Sequence, residues 1–134
     1  MEFPYLVKQT ELGLIFTPYC WMEVLTKKGV WRKHKFLFDT GADYTSVPKF
    51  MSVVVGVDLT KARQEVMYTA NNESMITYVS KIHLRLDHLE LIIPCVFTER
   101  DDTPFLLGRS GLIDRFEMTL SAVKRKLIFK SSKD

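Results

Sequence analysis

Asp39-Thr40-Gly41 follows directly on the hydrophobic run Phe36-Leu37-Phe38 and leads into Ala42-Asp43-Tyr44-Thr45-Ser46-Val47-Pro48. A carboxylate, a hydroxyl and a glycine in this order are equipped for acid–base chemistry at a fixed point. Phe36 and Phe38 lie two apart and so share one face of a strand. An acid just beyond such a strand emerges at the edge of a core, where desolvation and neighbouring charges move pKa values. Gly41 allows a tight turn that brings backbone N–H groups close to the Asp39 carboxylate, because no Cβ blocks the approach. Thr40 offers a hydroxyl that can lock the turn or grip a partner chain. The physical reading is a carboxylate held rigidly at the floor of a cleft. Taken alone, the tripeptide also reads as an ordinary hairpin turn, since Asp and Gly are standard turn residues.

The elements that must position this loop are strands. Residues 6–16 read as a strand or arm broken at Gly13. Residues 19–25 are rich in β-formers, and Lys27-Lys28-Gly29 makes a hairpin turn that returns the chain through Val30-Trp31. After Pro48, residues 49–55 fit a helical turn or a short strand ended by Gly56. The most regular stretch is residues 76–86. Ile76, Tyr78, Ile82, Leu84 and Leu86 share one parity, broken at Ser80, while Thr77, Lys81, His83, Arg85 and Asp87 share the other. That alternation predicts a long, half-buried strand. Asp87-His88 then turns the chain into a second strand over residues 89–97. Pro104 precedes the apolar run Phe105-Leu106-Leu107, and residues 116–120 and 126–129 form a final hairpin. Helix is expected only near residues 110–115. Many short strands at regular spacing indicate an all-β, barrel-like fold. The whole chain, residues 1–134, is expected to be one domain, with residues 1–17 as an arm and 130–134 as a polar tail.

Composition excludes several classes. With 134 residues, 46% of them hydrophobic, the chain can bury a sizeable core. The net charge of +3 is small and scattered over short basic clusters, such as Lys27-Lys28 and Lys124-Arg125-Lys126. No nucleic-acid partner is expected from them. Cys20 and Cys95 stand apart without a CxxC pattern and read as buried free thiols. His83 and His88 do not make a metal site, and no metal or other cofactor is expected. No apolar run reaches membrane-spanning length and no signal-peptide pattern opens the chain, so a soluble, cytoplasmic protein away from membranes is expected.

The flanks of Asp-Thr-Gly carry a resemblance. Residues 36–48 resemble the active-site loop of the retropepsin-like aspartic proteases. Downstream, Phe105-Leu106-Leu107-Gly108-Arg109-Ser110-Gly111-Leu112-Ile113-Asp114-Arg115-Phe116 is similar to the hydrophobic-Gly-Arg strand and short helix that close that fold. Two motifs in the right order are far more specific than either alone. The resemblance spans about residues 18–129. It implies an acid-protease barrel with one short C-terminal helix and an active site at a two-fold dimer interface.

Peptide hydrolysis by carboxylates needs two of them, one as base on a water and one protonated to polarise the amide. This chain has a single Asp-Thr-Gly, so one copy carries half a site. A two-fold homodimer that sets Asp39 against the partner's Asp39 is the economical solution, and the resemblance implies the same. By the same resemblance, Thr40 hydrogen-bonds across the dimer axis and Gly41 presents backbone to substrate. Asp43 corresponds to a structural acid that pairs with Arg109, expected as a semi-buried, bidentate bridge. A flap hairpin is expected over residues 65–78. Thr69, Ala70, Asn71 and Asn72 at its tip, together with Ala42 and Asp43, would contact an extended polypeptide substrate. The tip has no glycine, although Asn tolerates the positive φ of a hairpin turn. That departure keeps open a non-catalytic peptide-binding or dimerisation module of the same fold. Ala42 cannot donate the hydrogen bond that a serine there would give the carboxylate, so a weakly acidic activity optimum is expected.

Overall fold

A computed structural model of the chain describes residues 1–69 and 71–131. The strands run, in order, β1 (Glu2–Pro4), β2 (Leu6–Thr10), β3 (Gly13–Thr17), β4 (Tyr19–Leu25), β5 (Trp31–Phe38) and β6 (Thr45–Val47). A short helix, α1 (Met51–Val55), and a 3-10 turn (Leu59–Lys61) follow. Then come β7 (Arg63–Tyr68), β8 (Ser74–Leu86), β9 (Leu89–Thr98), β10 (Leu106–Leu107), β11 (Phe116–Ser121) and β12 (Lys126–Ser131).

Six strands make a closed barrel in the order β4-β5-β10-β6-β9-β8, and β8 returns to β4 through Glu23↔Arg85 and Val24↔Leu84. Closure follows from alternation. Cys20, Met22 and Val24 of β4 point inward with Phe36 of β5 and Leu91, Ile93, Cys95 and Phe97 of β9, all buried. The outward positions across the seam carry charge instead. Arg85 donates to both carboxylate oxygens of Glu23, at 3.3 and 2.7 Å, and its guanidinium lies 4.3 Å from the Trp31 ring centroid. The barrel seam is therefore apolar inside and ion-paired outside.

Strand β8 departs from a simple alternation. Ile82, Leu84 and Leu86 are buried as the pattern predicts, but Ile76 is exposed and Thr77 is buried. The N-terminal part of β8 pairs with β7 as a hairpin that leaves the barrel, and there the Thr77 hydroxyl donates to the Glu65 carbonyl at 2.9 Å. Leaving the barrel exchanges the two faces. α1 ends where expected, with Gly56 at φ 76 as its left-handed C-cap.

Two expectations are corrected, at the C-terminal helix and the polar tail, and the N-terminal arm broken at Gly13 is resolved further. The short C-terminal helix is only a three-residue 3-10 turn, Ile113–Arg115. Gly111 at φ 82 breaks the helical path, and a Cβ there would come within 2.9 Å of Ile93. The N-terminal arm is a hairpin, with β2 and β3 paired from Leu6↔Thr17 to Thr10↔Gly13 in a sheet of their own. The polar tail begins later than residue 130, because Lys130 and Ser131 pair with Glu117 and Phe116 in β12.

β1, β12 and β11 form a second sheet beneath the barrel, with Leu127 and Phe129 of its central strand buried. No helix among the described residues is long and apolar enough to cross a membrane. Cys20 and Cys95 are buried free thiols, and burial pushes Cys20 up to about 12 and raises Cys95 as well. A thiol held protonated and covered does not react as a nucleophile. A chromogenic disulfide reagent at mildly alkaline pH is therefore expected to label neither cysteine until the protein unfolds. Stoichiometric labelling of the folded protein would contradict that burial.

Candidate active site

The Asp39 loop is built around two residues of backbone. β10 pairs parallel with β5 (Leu106↔Leu37, Leu107↔Phe38) and antiparallel with β6 (Leu106↔Ser46). The loop leaves β5, passes over the end of β10 and returns as β6, so β10 is wedged between its two stems. The Phe105 carbonyl accepts from Leu37 N at 2.8 Å, and the Leu107 carbonyl accepts from Asp39 N at 3.1 Å. The chain after β10 then satisfies the loop. Arg109 N donates to the Ala42 carbonyl and Ser110 N to the Asp43 carbonyl, both at 2.9 Å, and Gly108 N donates to the buried Thr45 hydroxyl at 3.1 Å. The two sequence motifs are thus one interlocked unit.

Glycine is required where the strands cross. A Cβ on Gly108 would run into the Tyr44 carbonyl group and stand 2.7 Å from Thr45 N. Both are backbone, pinned by the bonds just described, and cannot yield. At Gly41 the close approach is to the acid itself. Gly41 N donates to Asp39 Oδ1 at 2.9 Å, and a Cβ would lie 3.2 Å from that oxygen. Asp39 is half-buried at the barrel edge, fixed at its backbone N–H and at one carboxylate oxygen. Such a group can accept a proton from water or hold one.

Thr40 and Gly41 are exposed and Ala42 is half-buried. Thr40 contributes its carbonyl to Arg109 Nη1 at 3.4 Å, and it also lines a groove. That groove, about 300 Å3, is lined by Phe38, Thr40, Ile113, Phe116, Met118 and Leu120. Arg109 Nη2 meets Asp43 Oδ1, so the predicted pairing is present. It is neither bidentate nor semi-buried: only one carboxylate oxygen is engaged, and the side chains of Arg109 and Asp43 are 46% and 73% exposed. In a single chain such a pair is screened and contributes at most about 1 kcal/mol.

The expected flap corresponds to the β7–β8 hairpin, with Arg63↔Val79 at its root and Tyr68↔Ser74 at its tip. Thr69 N donates to the Glu73 carbonyl at 2.9 Å, and Asn72 takes φ 61, the conformation expected of an Asn in this turn. Asn71 and Asn72 sit at the exposed tip, and Ala70 lies outside the described residues. Under the hairpin is a largely apolar cavity of about 190 Å3 lined by Ser46, Met67, Thr69, Met75, Pro104 and Leu106, among others. Of the flap-tip residues singled out in the sequence that the structure describes, Thr69 reaches it and Asn71 and Asn72 do not line it. Met67, Met75 and Leu106 escaped sequence reasoning because no local pattern distinguishes a cavity wall from a core position. Among the described residues, no group of three His, Cys, Asp or Glu side chains could hold a metal ion.

A six-stranded barrel whose edge carries an Asp-Thr-Gly loop clamped by a Gly-Arg segment defines an acid-protease type of architecture. The chain belongs to the family described as gag-polyprotein putative aspartyl protease, whose match covers residues 29–113, more than half of the chain. Membership makes it a peptide hydrolase by class. A retropepsin-like aspartic protease from Rickettsia conorii, known from its crystal structure, is similar in fold with a TM-score of 0.62. The alignment covers 95% of this chain and 97% of that one at 23% identity. A comparison with curated proteins gives no match.

The interlock carries one prediction and its flank another. Gly108→Ala is expected to cost about 3 kcal/mol or more, read as a lowered urea midpoint, because the crossing backbones must part. A midpoint equal to the parent's would dismiss the crossing as a constraint. Beside the loop, His34 stacks on Phe105 with centroids 5.0 Å apart, and its buried Nε2 has no partner among the described residues. Burial, then the Arg32 charge, lowers its pKa from 6.5. The unfolded chain therefore binds this proton more readily, and the site loses stability as pH falls through about 6.5. His34→Phe is expected to lose less stability than the parent between about pH 7 and pH 5 in urea titrations; parallel losses would acquit His34.

Proposed function

We propose that the chain is a single-domain aspartic endopeptidase that works as a homodimer, with Asp39 of each copy forming one catalytic pair. The observation that carries this reading is a rigidly held, half-exposed carboxylate that has no other acid among its hydrogen-bond partners in the described residues. Asp43, the other acid of the loop, is engaged with Arg109. The groove of Phe38, Thr40, Ile113, Phe116, Met118 and Leu120 supports a second copy at this edge. Leu120 is 52% exposed in a single chain, and among the described residues β11 pairs only with β12, which leaves its other edge free.

In the dimer one Asp39 is ionised and its counterpart protonated, because two carboxylates at close range cannot both ionise cheaply. The ionised one takes a proton from a water as its oxygen bonds to the peptide carbonyl carbon. The protonated one gives its proton to the carbonyl oxygen. Collapse of the tetrahedral intermediate breaks the C–N bond, and the amine leaves with a proton from the pair. Substrate lies extended beneath the β7–β8 hairpin, where main-chain hydrogen bonds hold it and the cavity of Met67, Met75 and Leu106 takes one apolar side chain. Thr40 bonds across the axis, Gly41 and Ala42 line the floor, and Asp43 with Arg109 becomes covered at the interface. Thr69, Asn71 and Asn72 close over the substrate from the tip.

Asp39→Asn is expected to abolish cleavage of an unfolded protein substrate while sedimentation still reports a dimer. Leu120→Asp is expected to shift the protein to monomer and remove activity with it. Mixing parent with excess Asp39→Asn should depress activity per parent chain, since a mixed dimer carries one acid. A parent that stays monomeric at high concentration yet cleaves would sink the dimer. With no serine hydroxyl at position 42, the pH–rate profile is expected to peak at weakly acidic pH; a peak below about pH 3 would refute that part.

A further inference from the structure

Between the β4–β5 turn and α1 lies a groove of about 410 Å3 that shares no lining residue with the Asp39 loop or with the cavity under the β7–β8 hairpin. Its floor is aliphatic, with Val30 55% and Val53 79% exposed and Val54 beside them. Its rim is basic, formed by Lys27, Lys28 and Arg32, and no carboxylate lines it. Among the described residues none of these three cations is in a salt bridge. The groove is preformed. Lys27 N donates to the Val54 carbonyl at 2.8 Å, tying the turn to the helix. Gly56 lets the Lys27 stem pass, since a Cβ there would stand 3.2 Å from Lys27 Cβ and Cγ.

We propose that this groove docks an acidic, aliphatic polypeptide segment, in which one or two aliphatic side chains stand between carboxylates. The aliphatic side chains would remove Val30 and Val53 from water, and the carboxylates would meet the three unpaired cations. Alternation of apolar floor and basic rim selects this chemistry. A nucleic acid would need stacking surfaces, and no aromatic side chain lines the groove. A membrane surface would call for a long amphipathic helix, and α1 spans only Met51–Val55. Docking itself does not depend on the protease reading.

The test is fluorescence anisotropy of a labelled hexapeptide, Asp-Glu-Leu-Leu-Asp-Glu, titrated with Asp39→Asn protein so that no cleavage intervenes. Saturable binding is expected, weakening with added salt and falling at least about tenfold when Lys27→Glu, Lys28→Glu and Arg32→Glu are combined. Val53→Asp should weaken it too, and the peptide Lys-Arg-Leu-Leu-Lys-Arg should not bind. All four positions are exposed, so thermal melts of the variants check that the fold is intact. Equal affinity of the charge-reversed protein, equal binding of the basic peptide, or association only with phosphatidylserine vesicles would each overturn the proposal. Loss of binding would leave the proteolysis assay untouched, and absence of proteolysis would leave the binding result standing.

Discussion

Leu106 and Leu107 form the shortest strand of the barrel, and the architecture of the candidate site depends on where they lie. Their backbones pair with β5 on one side and β6 on the other, which forces the intervening loop to cross over them. The crossing leaves room for backbone alone, hence Gly108 beneath Tyr44 and Thr45. The amides just beyond the crossing, Arg109 and Ser110, then meet the loop carbonyls of Ala42 and Asp43. A carboxylate whose chain is bonded on both sides does not wander. Its position costs nothing further when a substrate arrives, which is the physical content of preorganisation.

The surroundings of that fixed point are unevenly finished. On the barrel side, Phe36, Phe38, Leu107 and Phe97 are buried. On the outer side, Thr40 is exposed, Asp43 and Arg109 pair in open solvent, and an apolar groove runs to Leu120. An ion pair that is weak in water becomes far stronger once desolvated, so covering this side would alter the weight of the Asp43–Arg109 contact more than its geometry. The hairpin of β7 and β8 has a different character. It leaves the barrel at Thr77, exposes Val66 and Tyr68, and is joined to the body mainly through β8 itself. Few buried contacts place it at the low-stability end of the fold, where closing elements are drawn from.

Much of this could be read from residue order. The period-two pattern gave β8 beyond Ile82 and β9 almost to the residue, Gly56 ended α1, and Asn72 marked the turn at the hairpin tip. These are local effects, settled by which face is apolar and by which residues tolerate positive φ. The motif pair at residues 36–48 and 105–116 was also legible, because each carries an unusual order of acid, hydroxyl, glycine and arginine. Residues 110–115 misled: a helix was expected where Gly111 and the side chain of Ile93 allow only a 3-10 turn. The reversal of faces at Thr77 was equally hidden, since nothing near it in sequence announces that the strand leaves the barrel.

By itself the sequence determined strands such as β4, β8, β9, β11 and β12, the chemistry of Asp39-Thr40-Gly41 and the partner motif containing Arg109, because these rest on side-chain type and short-range spacing. Only the tertiary structure decided that β10 lies between β5 and β6, that Met67, Met75 and Leu106 enclose one cavity, and that Lys27, Lys28 and Arg32 ring an aliphatic groove. Those are contacts between residues far apart in the chain. They are set by barrel closure, which sums many weak preferences that no single stretch displays.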